Sequence, residues 1–188
     1  MTNNSKFIAE LKLKNIYQDF FIDTDLERFE YDKPHYYFNY FWEQYQQFRD
    51  SQRGEDGSAS GKWNNLNGQA FGIIMGFLLD REGFQIVAMD EKFPRVDLVQ
   101  PDFVLQHGHR YSFLSIKTSS RERWKQADWE AIKFKRAYPK TKCFLILIKP
   151  EEVRTIKTKL HLLDLDDVVS ANSVDLDEMF VNMKAYTP

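Results

Sequence analysis

The sequence predicts an α/β fold with a mixed central sheet flanked by helices. Three stretches carry that expectation: two apolar runs joined by a short turn over residues 101–118, an amphipathic helix after them, and a continuous apolar strand from Lys142 to Ile148. The hairpin supplies antiparallel pairing. A strand buried on both faces and reached through a helix supplies parallel pairing, so one sheet holds both kinds.

Taken in chain order, residues 1–65 form an N-terminal helical and aromatic decoration. Tyr36 to Trp42, continuing to Tyr45 and Phe48, reads as an aromatic helix for core or dimer packing, with stacking on unstacked bases as the alternative. Ser51 to Gly61 reads as a flexible loop without a motif. A helix is predicted over Leu66 to Arg81, where Gly68, Gly72 and Gly76 recur at four-residue steps. They leave a smooth ridge for close packing, at a propensity cost of roughly 1 kcal/mol each. A strand follows Gly83, from Phe84 to Ala88, and then comes the hairpin. Beyond Ser119 or Ser120 a helix runs to just before Pro139, its core stripe set by Trp124, Ala127, Ala131, Phe134 and Tyr138. Past residue 150 the C-terminal extension is expected to hold an edge strand within Lys157–Leu165. A short helix over Asp175–Met183, opened by an acidic cap, is expected to close it. The whole is expected to be one domain, with residues 66–150 as its core.

Turn chemistry sets which hairpin side chains share a face. With Gly108-His109 as the two turn residues, glycine takes the position that type II′ turns reserve for it. Opposed residues then have numbers adding to 217, so Asp102 faces Ser115, and Lys117 lies on the same face. Asp102 and Lys117 become diagonal neighbours, ~7–8 Å apart at the backbone. A turn changed by one residue would separate them. Their bland reading is a turn aspartate and a solvated strand-end lysine. Asp97, in Arg95-Val96-Asp97-Leu98-Val99, is the alternative acid under another register.

The helix that follows accumulates cations where the macrodipole is positive. Arg121, Arg123 and Lys125 crowd its first turns, which points to a polyanion or base edges in front of it. Residues 117–136 hold seven Lys or Arg against three Asp or Glu, a local balance of +4 in a chain whose total is −2. Basic charge concentrated in this way suits a nucleic-acid contact. Glu122 has two readings, one as partner of Ser119 in a capping box and one as a base-contacting acid. Glu130 lies at the border of the buried stripe. It is either a solvated helix glutamate near Lys133 and Lys135 or a carboxylate turned toward the sheet edge to join a metal site.

The run Ser115-Ile116-Lys117-Thr118-Ser119-Ser120-Arg121-Glu122-Arg123-Trp124-Lys125-Gln126 resembles type II restriction endonucleases of the PD-(D/E)XK superfamily. It is most similar to the subgroup that reads CCGG, CCNGG or CCWGG-type sites. In that subgroup the acid two residues before the lysine is often replaced by a small residue, and a glutamate 13 or 14 positions after the lysine takes over. Ser115 and Glu130, the latter 13 positions after Lys117, match that pattern. The resemblance implies an αβββαβ core and a Mg²⁺ cofactor held by Asp102, Glu130 and Ser115, the serine through its backbone carbonyl. It implies catalysis by Asp102, Lys117 and Glu130, and base reading by Arg121, Glu122 and Arg123. It also implies cleavage of double-stranded DNA to 5′-phosphate and 3′-hydroxyl ends at a CC/GG-containing palindrome. A homodimer and functional pairing with a DNA methyltransferase go with it. One departure is visible: many relatives carry a glutamate in the first core helix, where this chain has Gln69 and glycines.

Composition bounds the remainder. Hydrophobic content of 43% and charged content of 29% are ordinary for a soluble globular protein. A single cysteine excludes an internal disulfide, and Cys143 in an apolar strand reads as packing. No His/Cys metal spacing, Walker loop or internal repeat is present, and His107 and His109 read as exposed turn residues. No transmembrane-length apolar run or signal peptide is seen, so no membrane partner and a cytoplasmic location are expected. Asp164, Asp166 and Asp167 make the C-terminal part acidic, and that end is expected to face away from DNA. Two other functions stay open: a repair, recombination or transposition nuclease of the same superfamily, and a catalytically silent DNA-binding module in which Ser115 marks a lost acid.

Overall fold

The computed structural model describes residues 4–13, 24–52, 60–119 and 123–185. Its elements are α1 (Ser5–Leu13), α2 (Pro34–Gln52), α3 (Ser60–Arg81), β1 (Gln85–Ala88), β2 (Phe103–His107), β3 (Arg110–Lys117), α4 (Arg123–Ala137), β4 (Lys142–Leu147), α5 (Pro150–Lys157), β5 (Asp167–Ser170) and α6 (Val174–Ala185). A single 3₁₀ turn, Leu160–Leu162, joins α5 to β5. The five strands lie side by side in chain order. β1, β2 and β3 pair antiparallel, then β3, β4 and β5 pair parallel, so the sheet is mixed as expected.

The hairpin has the register that the turn arithmetic gives. Phe103 pairs with Leu114 and His107 with Arg110, and Gly108 alone of the two turn residues has a positive φ, at 59°. Period-two alternation then divides the sheet between two cores. Phe103, Leu105, Leu114, Ile116, Phe144, Ile146 and Val169 face the layer built from α1, α2, α3 and α6. Val104, Phe113, Cys143, Leu145, Leu147 and Val168 face α4 and α5. Asp102, Ser115 and Lys117 fall on the second face by the same alternation.

On the first face, α2 buries Tyr37, Phe38, Phe41, Trp42 and Tyr45, so the aromatic helix is core packing, with Tyr36 and Tyr40 left exposed. α3 ends in a Schellman motif around Gly83 (φ 79°): the Phe84 N–H donates to the Leu79 carbonyl and the Gly83 N–H to the Asp80 carbonyl. Asn4 ties α1 to this corner by donating to the Phe84 carbonyl and accepting from the Ile86 N–H. The glycines of α3 behave differently from one another. A methyl group at Gly76 would fall 2.6 Å from Leu11 Cδ1, so α1 packs closely there, but one at Gly68 would meet nothing within 4 Å. The close-packing expectation holds at Gly76 and fails at Gly68, which opens on a cleft.

Three further expectations are corrected. No strand lies within Lys157–Leu165; the chain there leaves α5 through the 3₁₀ turn, and the fifth strand is Asp167–Ser170. Pro150 at the first helical positions with Glu151 and Glu152 in the first turn starts α5 instead. Ser51 and Gln52 continue α2, and Ser60 opens α3, while residues 53–59 lie outside the described ones. His107 is buried, not exposed, because alternation puts it on the side of Phe103 and Leu105; its ring meets Phe84 edge-on at 6.0 Å. Burial pushes its imidazole below the ordinary histidine range. Cys143 is buried with its thiol pushed up to about 12 by desolvation, an inert packing residue. Among the described residues no helix is long and apolar enough to cross a membrane.

Candidate active site

Just beyond the Phe103–Leu114 pair that ends the β2–β3 ladder, the chain gathers donors on one oxygen. The segment before β2 is anchored by Asp90, whose N–H donates to the Pro101 carbonyl at 2.9 Å. Asp102 follows, and its Oδ2 accepts from Lys117 Nζ at 2.7 Å, the Ile116 N–H at 2.8 Å and the Ser115 hydroxyl at 3.3 Å. Among the described residues no donor reaches Oδ1. Asp102 is 24% exposed and Lys117 12%, so the ion pair is shielded while one carboxylate edge stays accessible. Such a pair is stronger than a solvated one because less water screens it.

Glu130 comes to the same place from α4. The stripe Ala127, Ala131 and Phe134 locks that helix onto the second face of the sheet, and Glu130, between the first two in the stripe's sequence, is carried down with it to 5% exposure. Gln126, one turn earlier, donates to Oε1 at 2.8 Å. Burial pushes the Glu130 carboxyl above the usual carboxylate range. The Lys117 charge and hydrogen bonds from Gln126 and Ser115 oppose that rise, and the Asp102 charge adds to it. These influences place Glu130, Lys117, Ser115 and Asp102 in one electrostatic unit, with the buried Ser115 hydroxyl between the two acids. The solvated-glutamate alternative does not describe it. Lys135 pairs with Asp166 at 2.9 Å, and Lys133 lies over the Trp129 ring at 5.2 Å.

Asp102 and Lys117 open on a cleft of about 730 Å³ between α1, α3 and the hairpin. Gly68 and Gly72 form part of its wall, and Arg123, exposed at the start of α4, borders it. Glu10 and Asp90 also border it, two acids that the sequence pattern did not single out. Asp97 is exposed on the β1–β2 connection and borders no part of this cleft, so Asp102 is the aspartate that meets Lys117. Arg121 and Glu122 lie outside the described residues. Gln126 was missed at the sequence level, although its four-residue spacing from Glu130 was a usable signal.

Among the described residues no group of three or more His, Cys, Asp or Glu side chains forms a metal cluster. Two carboxylates and a hydroxyl nevertheless make an all-oxygen donor set, the kind Mg²⁺ takes while keeping several waters. Glu130 adds a reason for a cation: a buried acid driven toward its neutral form is one that a divalent ion would hold ionised. The residues present fit a hard divalent ion.

Comparison with solved structures finds similarity to restriction endonuclease PspGI in complex with substrate DNA, at a TM-score of 0.55 and 17% identity, over 100% of this chain and 83% of that one. At that identity the likeness establishes the fold: a restriction-endonuclease-like mixed α/β architecture. No protein-family model matches the chain. No curated protein matches it.

Proposed function

We propose that this protein is a Mg²⁺-dependent endonuclease of double-stranded DNA, a type II restriction enzyme that cuts at a CC/GG-containing palindrome. The observation that carries the reading is the convergence of Asp102, Lys117, Ser115 and Glu130 at one end of the sheet, on a register that no other turn length would produce. The fold shared with a DNA-bound restriction endonuclease supports it.

Asp102, Glu130 and the Ser115 segment would hold the metal, which when bound lowers the pKa of a water and offsets charge on the scissile phosphate. Lys117 would donate a hydrogen bond to the attacking oxygen or to the phosphoryl oxygens as negative charge grows there. Asp102 fixes that ammonium through a 2.7 Å ion pair. Water oxygen bonds to phosphorus and gives up a proton to solvent, the bond to the 3′ oxygen breaks and that oxygen takes up a proton, and the products are a 5′-phosphate and a 3′-hydroxyl. Arg121 and Arg123 suit guanine O6 and N7, and Glu122 suits cytosine N4, each good pair supplying ~1–3 kcal/mol of discrimination. A palindromic target calls for a two-fold homodimer. A cytoplasmic location and a companion DNA methyltransferase complete the reading.

Digesting a sequenced phage genome with Mg²⁺ and mapping the fragment ends tests it. Discrete fragments sharing one short sequence at every end are expected. A smear of random ends favours a repair or recombination nuclease instead, and intact DNA favours a silent binding module, in which Ser115 marks a lost acid.

A further inference from the structure

The mechanism uses only the last residue of the segment joining β1 to β2, yet residues 90–101 carry the strained backbone of this molecule. Asp90 (φ 49°), Arg95 (φ 62°) and Leu98 (φ 65°) are the positive-φ non-glycine residues among those described. Aspartate tolerates that region; a leucine there is a conformational outlier that surrounding structure has to enforce.

The enforcement is visible. The segment's base is closed by the Asp90 to Pro101 hydrogen bond, the Val96 N–H donates to the Phe93 carbonyl, and the Tyr138 hydroxyl donates to the Pro94 carbonyl. Phe93, Val96 and Val99 are buried in the second core, with Phe93 stacked on Phe134 at 5.6 Å. Plugging every third residue inward leaves Lys92, Leu98 and Gln100 outside. Leu98 is 84% exposed, more than any other large apolar side chain among those described. The three residues border a second cleft of about 400 Å³ together with Gln126, Trp129 and Glu130. Asp97, also exposed, does not border it, so among the described residues Glu130 is the acid on its wall.

Glu130 thus links two clefts: it is coupled to Asp102 and Lys117, which border the larger cleft with Arg123, and it borders the Leu98 cleft itself. A DNA strand's phosphate backbone separates the major groove from the minor groove. Groups in two separate clefts that meet at a site gripping one phosphate are thus able to reach different grooves. Resting on the nuclease reading, in which Arg123 takes the major-groove side, we infer that the β1–β2 segment enters the minor groove beside the scissile phosphate. Leu98 is the apolar wedge against a base step, Gln100 reads base edges, and Lys92 meets a phosphate. A rigid apolar tip with flanking amide and cation is the equipment minor-groove readers use. The strain at Leu98 serves to hold that tip outward.

The test compares wild type with Leu98→Gly and Gln100→Ala on an oligonucleotide duplex spanning one mapped cleavage site, and on the same duplex with inosine replacing guanine. Inosine removes the minor-groove amino group and leaves the major-groove edge unchanged. Leu98→Gly is expected to lower kcat/KM by about tenfold or more, with a melting temperature at or above that of wild type because glycine relieves the backbone. Gln100→Ala is expected to erase any distinction between the guanine and inosine duplexes. Leu162→Gly, exposed on the 3₁₀ turn, should cleave as wild type does. A wild type that yields no cleavage site to map sinks the nuclease reading. Wild type that cuts while Leu98→Gly cuts within about twofold of it overturns this inference alone.

Discussion

Asp102 reaches the candidate site from the hairpin and Glu130 reaches it from the helix, and their surroundings contrast. Asp102 is partly exposed, with a lysine, a backbone N–H and a hydroxyl all directed at one oxygen. Glu130 is buried, and desolvation drives it toward the neutral form against the help of Lys117, Gln126 and Ser115. The hairpin carboxylate is held by local geometry that also stabilises the fold. The helix carboxylate is a standing cost to the fold, of the sort retained where chemistry needs it. On the nuclease reading the difference suits separate tasks: Asp102 would orient the ammonium and offer its open edge to the ion, and Glu130 would supply charge that only a bound cation fully offsets.

The largest expected effect breaks the unit at its centre. Lys117→Ala should lower Mg²⁺-dependent plasmid cleavage by about 10³-fold or more while duplex binding persists. Cleavage near the wild-type rate would show that the ammonium takes no part.

Glu130→Gln separates the two acids most sharply. The cleavage rate should fall by about 10²-fold or more, yet thermal stability at neutral and alkaline pH should rise. The folded-state carboxyl keeps its proton to higher pH than the unfolded chain does. Through that window the folded state binds more protons, so stability falls as pH rises and the penalty is complete above it. The amide removes the penalty, and the gap in melting temperature should close in acid. A variant less stable than wild type at pH 8 would contradict the burial account. For the same reason metal affinity in the wild type should increase as pH rises through the Glu130 transition.

Asp166, just before β5 and paired with Lys135 of α4, provides a structural carboxylate for contrast, outside the lining of the cleft. Burial pushes its carboxyl up, and hydrogen bonds from Lys142, the Cys143 N–H and Lys135 outweigh this and hold it below the ordinary range. Its stabilisation is present above the unfolded-state value and lost as pH falls through the folded one. Asp166→Asn should cost about 1–3 kcal/mol at neutral pH by chemical denaturation, less in acid. Unchanged stability at pH 7 would remove it as a comparison.

The smallest effect probes the cleft on the Asp102 side. Gly68→Ala meets no neighbour within 4 Å and should raise stability by about 0.5–1 kcal/mol through helix propensity. Gly76→Ala should gain less or lose, because its methyl group meets Leu11. Equal gains at both positions would mean that α1 does not pack on Gly76.

Much of this arrangement was legible where a period or a turn type constrains the chain. Gly108 fixed the hairpin register, and register alone put Asp102, Ser115 and Lys117 on one face. The 127/131/134 stripe located the buried side of α4. Glu130 was ambiguous because its spacing puts it on a border, and whether a border residue is buried depends on the strand opposite it, which no single-sequence pattern displays. The stretch after residue 157 imitates a strand because polar and apolar residues mix through it, although the chain there makes a 3₁₀ turn and the strand begins only at Asp167. The backbone of Leu98 carries no compositional mark, since leucine is not a residue that announces a left-handed conformation.

On the proposed reading the hairpin acid and the helix acid serve one divalent ion. Calorimetric titration of Mn²⁺ into wild type, Asp102→Asn, Glu130→Gln and the double variant tests this directly. Sharing predicts that either single substitution removes most of the binding and that the double variant loses little more. Independent, additive losses, or wild-type affinity in either single variant, would contradict it.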